Sequence, residues 1–260
     1  MDKPVIQALW IGKALSAVEQ LCIKSFLKNG HEFHLYTYDE IANVPEGTIV
    51  KNGSEIIPFE DVFIYSTGTY SVFGDWFRWK MLYEKGNFWV DMDVICLKPF
   101  LFDEDIIFGK QRIGNYAVGV VGFPQGHEFC AFMRDIGESP NKFLPYDSKK
   151  QKLRKLMRRL RRRGRHNVAW GETGGPAGFT PAVNYFHLEH LAKPFTWFYP
   201  IPHYNWDAAF DETLANDVDL FSNTYAVHLW NDMMRHNKNF DKNAEFPKNS
   251  LFEQLKARYL

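Results

Sequence analysis

Cysteine is scarce. Cys22, Cys96 and Cys130 are the three in 260 residues, widely spaced and with no C-x-x-C pair. An odd, scattered set argues against a disulfide framework and reads as reduced thiols in a cytoplasmic protein. Long apolar runs are absent as well. No stretch reaches the roughly 18 residues that a membrane-spanning helix needs. The N-terminal apolar stretch, Val5 to Ile11, is short and broken by Gln7, so no signal peptide is expected. The expected location is the cytoplasm, with at most peripheral attachment to the inner face of the plasma membrane. Neither an internal repeat nor a long linker divides the chain, so one domain over residues 1–260 is expected.

Aromatic residues are plentiful, at 17% of the chain within a hydrophobic total of 45%. That is enough for a substantial core and too much for a disordered chain. Rings in such numbers also suit a cleft that stacks on sugars or bases, and composition does not choose between the two. The formal net charge of zero is an average over two unlike parts. Residues 149–165 hold 11 of the 31 basic residues and no acid, which leaves 20 bases against 31 acids elsewhere.

The opening pattern is strand, helix, strand. Residues 4–12 and 31–39 are strand-like, and between them Val18, Leu21, Cys22 and Phe26 form one helical stripe, with Ser16 as N-cap and Gly30 as stop. This order implies parallel pairing and an α/β sheet. Ligands bind such sheets at the carboxyl ends of the strands, so Trp10, Ile11 and Tyr36 are expected to face a site. A helix is predicted from about Asp75 to Lys85, then a strand through Phe88, Trp89 and Val90 after the stop at Gly86-Asn87. Further strands are predicted at 106–108, 117–123 and 224–229.

That central strand runs into Asp91 and Asp93, which strand alternation would point the same way. Two close carboxylates resist joint ionisation unless a cation sits between them, and a hard divalent metal is the simplest partner. The other D-x-D sequences, Asp103/Asp105 and Asp217/Asp219, sit among polar and acidic residues and read as solvated turns. Asp75 and Arg78 share a helix face, either as a local ion pair or as an acid held ready for a ligand hydroxyl. His228, between Val227 and Leu229, is either a core histidine or a third metal ligand suited to manganese. Glu172, beside the turn Gly174-Gly175-Pro176, is either a loop acid or a catalytic, acceptor-binding one. In the basic stretch, about 146–166, Leu153, Leu156, Met157 and Leu160 recur at helical spacing. That spacing reads as a cationic amphipathic helix: an anchor on an anionic membrane surface, an ordinary solvated face or, least suited, a nucleic-acid contact.

The order D-x-x-R, helix, Gly, aromatic strand, D-x-D and Lys98-Pro99 resembles the sugar-binding region of glycosyltransferase family 32. The α-1,4-galactosyltransferases have related segments. Residues 8–39 are similar to that family's N-terminus, 173–176 to its Thr-Gly-Pro turn, and 226–231 to its His-containing motif. The basic stretch has no counterpart, and Gly86-Asn87 replaces the Gly-Gly of many members.

The resemblance implies a GT-A fold, a Rossmann-like mixed sheet flanked by helices. It implies a retaining transferase moving a hexose from UDP-galactose, UDP-glucose or an N-acetyl form, with Mn2+ or Mg2+ as cofactor. The acceptor would be a glycan or lipid-linked glycan in polysaccharide, capsule or lipopolysaccharide synthesis. Carried over by motif, Asp91, Asp93 and His228 hold the metal, and Asp75 and Arg78 hold the donor hexose. Trp10 and Ile11 lie against the nucleoside, and Trp230 or Asn231 reaches the diphosphate. Two alternatives stand beside it: an aspartate-nucleophile phosphatase, whose D-x-D-x-[TV] strand end fits residues 91–94, and a non-catalytic sugar-binding or membrane-scaffold protein.

Overall fold

The computed structural model describes residues 3–215 and 221–260. Asp217 and Asp219 therefore lie outside the described residues. A six-stranded mixed sheet forms the centre, in the order β3-β2-β1-β4-β7-β6. Its strands are β1 (Ile6–Leu9), β2 (Phe33–Thr37), β3 (Ile49–Asn52), β4 (Asn87–Val90), β6 (Ile107–Lys110) and β7 (Tyr116–Phe123). The first four are parallel, whereas β7 runs antiparallel to both β4 and β6. A separate ribbon pairs β5 (Val94–Cys96) with β8 (Ala226–His228), Val94 opposite His228. The expected α/β class, a Rossmann-like sheet flanked by helices, is the arrangement found.

Alternation along the strands sorts side chains onto two faces. Ile6, Ala8, Phe33, Leu35, Phe88 and Val90 enter one core, with helix α1 (Ala17–Lys28) and the C-terminal helix α8 (Leu251–Tyr259). Tyr36, Trp89, Val118 and Val121 enter the other, against α2 (Ser71–Lys85), α3 (Glu128–Glu138) and α5 (Pro176–Tyr185). Ser16 caps α1 in a reciprocal box with Glu19. Helix α2 begins one turn before the predicted start at Asp75, so Asp75 is an interior residue. Gly86 ends α2 at φ 63°, as its position after the helical stripe predicted.

Tyr36 departs from its expected place at the site. It is buried within β2, its ring 5.4 Å from that of Phe77, and burial pushes its phenol up to about 12. The sequence reading assigned it to a loop-facing strand end, but the strand continues to Thr37 and turns Tyr36 into the core. Asp103, Glu104 and Asp105 are exposed, as a solvated turn requires. All three cysteines are free and buried.

Candidate active site

Strand β4 stops at Val90, and Asp91 and Asp93 lie in a tight turn closed by the Val94 amide donating to the Asp91 carbonyl at 3.1 Å. Strand alternation therefore does not bring them together; the turn and the β5–β8 ribbon do. The register sets His228 beside Val94, and the Leu229 amide donates to the Asp93 carbonyl at 2.9 Å. The result is a cluster in which Asp91, Asp93 and His228 each offer a ligand atom, all within 4.8 Å of one another. His228 Nε2 is 3.2 Å from Asp93 Oδ1 and 3.8 Å from Asp91 Oδ2.

The two carboxylates are held from behind. Asp91 Oδ1 accepts from Arg78 Nη2 at 3.1 Å and from the Trp89 indole at 2.8 Å, which leaves Oδ2 turned to the cluster. Asp93 Oδ2 accepts from the Asn231 amide. This amide opens helix α7 (Asn231–His236), and Trp230 before it adopts φ 62°, ψ 58°. Trp230 donates its indole N–H to the Ile201 carbonyl at 2.8 Å and sets its ring 4.3 Å from that of His228. Burial alone would pull the His228 imidazole down, but Asp93 and Asp91 outweigh it and hold its pKa up. Burial likewise penalises charge on Asp93, and His228 overcomes this to lower its pKa.

Two carboxylate oxygens and one imidazole nitrogen suit a manganese-type ion, and a carboxylate-rich set also accepts magnesium. The backbone adds room for one. A Cβ on Gly119 of β7 would lie 3.2 Å from both Asp91 Oδ2 and His228 Nε2, so only glycine leaves the donor atoms uncrowded. The donor set fits the cation that the sequence implied.

Beside the cluster, Arg78 Nη1 donates to Asp75 Oδ1 at 2.7 Å. Arg78 thus bridges two acids, Asp75 within its own helix and Asp91 in the turn. Burial lifts the Asp75 pKa despite Arg78. The turn Gly174-Gly175 presses on this pair: a Cβ at Gly175 would lie 2.9 Å from Asp75 Oδ2. Trp79 on α2 secures the turn by donating to the Gly174 carbonyl at 2.8 Å. Asp75 Oδ2 has no hydrogen bond among the described residues.

Glu172 on the same loop faces elsewhere. Its two oxygens accept from Arg158 at 2.7 and 3.0 Å, in helix α4 (Lys149–Leu160), and the Ala169 amide adds a third bond at 3.1 Å. Burial opposes its charge, but these donors outweigh it and hold the pKa low. The structure gives Glu172 an anchoring place, and its carboxylate does not join the cluster.

Trp10 and Ile11 follow β1 and are half-buried. The Trp10 indole N–H is buried without a partner, and the Lys242 ammonium lies 5.7 Å from the ring centroid. Lys242 also pairs with fully buried Glu19 at 2.6 Å, and the Asn231 side chain lies 3.4 Å from the same oxygen. Sequence reasoning missed Glu19, Lys242 and Gly119. The S-x-x-E spacing explains Glu19 as a capping residue, but nothing local links it to a lysine 223 positions away.

A cleft of about 1130 Å³ lined by Phe63, Ile64, Pro140, Arg165 and His166, among others, contains no member of the cluster.

Residues 191–259, which include His228, Trp230, Asn231 and Lys242, match a family model described as the alpha 1,4-glycosyltransferase conserved region. The chain is 27% identical over 193 residues to a lactosylceramide 4-alpha-galactosyltransferase of Gorilla gorilla gorilla, covering 72% of this chain and 52% of that protein. The Rattus norvegicus protein of the same name is 28% identical over 190 residues, covering 72% and 47%. The chain therefore spans about half the length of the curated relatives it matches. Among solved structures it is similar to PaToxG glycosyltransferase, at 13% identity and a TM-score of 0.49 over 71% of this chain and 70% of that one. It is also similar to the apo form of glycosyltransferase GlyE in Streptococcus pneumoniae TIGR4, at 11% identity and a TM-score of 0.42 over 98% and 60%. The family model and the curated relatives bear out the resemblance carried by the sequence motifs. The family match and the curated relatives lie with transferases, not with aspartate-nucleophile phosphatases.

Proposed function

We propose that the protein is a metal-dependent hexosyltransferase of GT-A type. It would move a hexose from a nucleotide sugar, UDP-galactose, UDP-glucose or an N-acetyl form, to a glycan or lipid-linked glycan acceptor. The carrying observation is the Asp91–Asp93–His228 cluster at the carboxyl end of β4, flanked by the Asp75–Arg78 pair. Asp91, Asp93 and His228 would hold Mn2+ or Mg2+, which when bound neutralises the donor's diphosphate and so eases departure of the nucleoside diphosphate. Arg78 fixes Asp75, whose free oxygen is suited to accept a hydroxyl of the donor hexose. Trp10 and Ile11 would supply an apolar wall for the base. Trp230 and Asn231 would approach the diphosphate.

Among the described residues, no carboxylate beyond these joins the cluster to act as a nucleophile. The reading is therefore retention by a front-face route, with the leaving phosphate taking the acceptor's proton. Polysaccharide, capsule or lipopolysaccharide synthesis is the setting in which such an acceptor arises.

A panel of nucleotide sugars incubated with the protein and manganese tests this reading. Release of nucleoside diphosphate from one UDP-hexose, dependent on the metal and abolished by Asp93→Ala, is the expected result. Phosphate release from p-nitrophenyl phosphate with none from any nucleotide sugar would establish the phosphatase alternative. Binding of a nucleotide sugar without turnover would establish the scaffold. A glycosyl-enzyme adduct in mass spectrometry would overturn the front-face route alone.

A further inference from the structure

Helix α4 is inside out. In a helix docked on a globular domain the apolar stripe faces the core and the charges face water. Here Lys155 and Arg158 are the buried residues, while Leu153, Leu156, Met157 and Leu160 are 60%, 41%, 39% and 69% exposed. The inner face is fixed by two ion pairs, one buried and one partly buried. Lys155 Nζ lies 3.0 and 2.8 Å from the oxygens of Asp147, and Arg158 grips Glu172 at two points. The orientation is therefore imposed by specific partners, since turning the stripe inward would strand buried Asp147 and half-buried Glu172 without counter-charges.

The outward stripe is bordered by bases. Lys149, Lys150, Lys152, Arg161, Arg162 and Arg163 are exposed and have no acidic partner among the described residues. We propose that this face of α4 docks on an anionic lipid surface, with the four apolar side chains entering the acyl boundary and the bordering bases meeting the headgroups. A second copy of the same face would set these bases against their own kind. A nucleic acid would meet aliphatic side chains where it requires rings to stack on. A protein groove would have to wrap a helix whose inner side is pinned to its own domain, whereas a flat bilayer needs only the side that is presented. No helix among the described residues is long and apolar enough to cross a membrane, so the contact would be interfacial.

The helix is tied to the candidate site from its inner side: Arg158 holds Glu172 of the loop whose Gly175 packs against Asp75. The docking surface does not depend on the transfer reaction.

Co-sedimentation of the full chain with phosphatidylcholine vesicles, with and without phosphatidylglycerol, tests it. The expected result is binding to the anionic vesicles, weak or no binding to the neutral ones, and a fall on adding salt. Replacing Leu153, Leu156, Met157 and Leu160 together by Gln should reduce binding about tenfold or more. Replacing Lys149, Lys150, Lys152, Arg161, Arg162 and Arg163 by Gln should do the same by a different route. All ten side chains are exposed, so thermal melts should stay close to that of the parent, and the second set stands if the first misfolds. Equal binding by parent and both variants would overturn the proposal. So would no vesicle binding, dimerisation that the apolar set abolishes, or RNA binding in place of lipid. Nucleoside diphosphate release from a soluble donor, measured in parallel, separates failure here from failure of the transferase reading.

Discussion

Arg78 Nη2 lies 3.1 Å from Asp91 Oδ1 while Nη1 holds Asp75 at 2.7 Å, so one guanidinium ties helix α2 to the turn that carries the cation ligands. A planar fork is required to reach both acids, and an ammonium cannot do so. Arg78→Lys is expected to retain the fold and lose about tenfold to a hundredfold in nucleoside diphosphate release, by analogy with other residues that orient metal ligands. Arg78→Ala leaves buried Asp75 without its counter-charge and should cost about 3–5 kcal/mol in urea unfolding. Equal stability of the parent and Arg78→Ala would show that the bridge is not formed in solution.

Gly119 presents no side chain to the cluster, and a methyl group there would sit 3.2 Å from two of its donor atoms. Gly119→Ala should therefore weaken manganese binding by about tenfold, with global stability changed by no more than about 1–3 kcal/mol. Calorimetric titration with the metal reads the first and denaturant unfolding the second. Undiminished manganese affinity would place the ion elsewhere.

The elements of this site were legible where local chemistry encodes them, and illegible where contacts span the chain. The stripe Val18-Leu21-Cys22-Phe26 and the stop at Gly30 define α1 locally, and Gly86 with its φ of 63° ends α2 where the pattern demanded. Short strands with little periodicity escaped: β3 is largely exposed, and β5 has three residues. Asp91, Asp93 and His228, grouped from the sequence, do lie together, but for a reason that the tight turn replaces. Glu172 and α4 were read apart, although Arg158 joins them. Helical spacing shows that a face exists and says nothing of which way it points; Asp147 and Glu172 decide that.

Acid should destabilise the fold through His31. Its Nε2 accepts from the Phe100 amide at 2.9 Å, which requires the neutral tautomer with Nδ1–H donating to the Pro4 carbonyl at 3.0 Å. Burial lowers its pKa, so the unfolded chain takes up the proton first. Stability from this group is complete above the ordinary histidine range and is lost as pH falls through that range towards the depressed folded value. The slope reaches at most about 1.4 kcal/mol per pH unit for one proton. Urea midpoints measured from neutral pH downward should fall in the parent and show a shallower decline in His31→Gln. Parallel curves would remove His31 from the account.

Glu172 offers the sharpest separation of two roles that sequence left open. As an anchor it holds α4 through Arg158, and its low pKa means that this stabilisation is present above the ordinary carboxylate range and fails as pH falls through the depressed value. Glu172→Gln and Arg158→Gln should then lower stability alike. The double variant should be less damaged than the sum of the two, with a coupling of about 1–3 kcal/mol. Their effects on transfer should also match, because each loosens the same loop beside Asp75. A catalytic or acceptor-binding acid behaves differently: Glu172→Gln would reduce kcat or raise the acceptor KM far beyond Arg158→Gln at equal stability. Three accepted hydrogen bonds leave that carboxylate little freedom to take a proton from an acceptor, so the matched outcome is the one the geometry predicts.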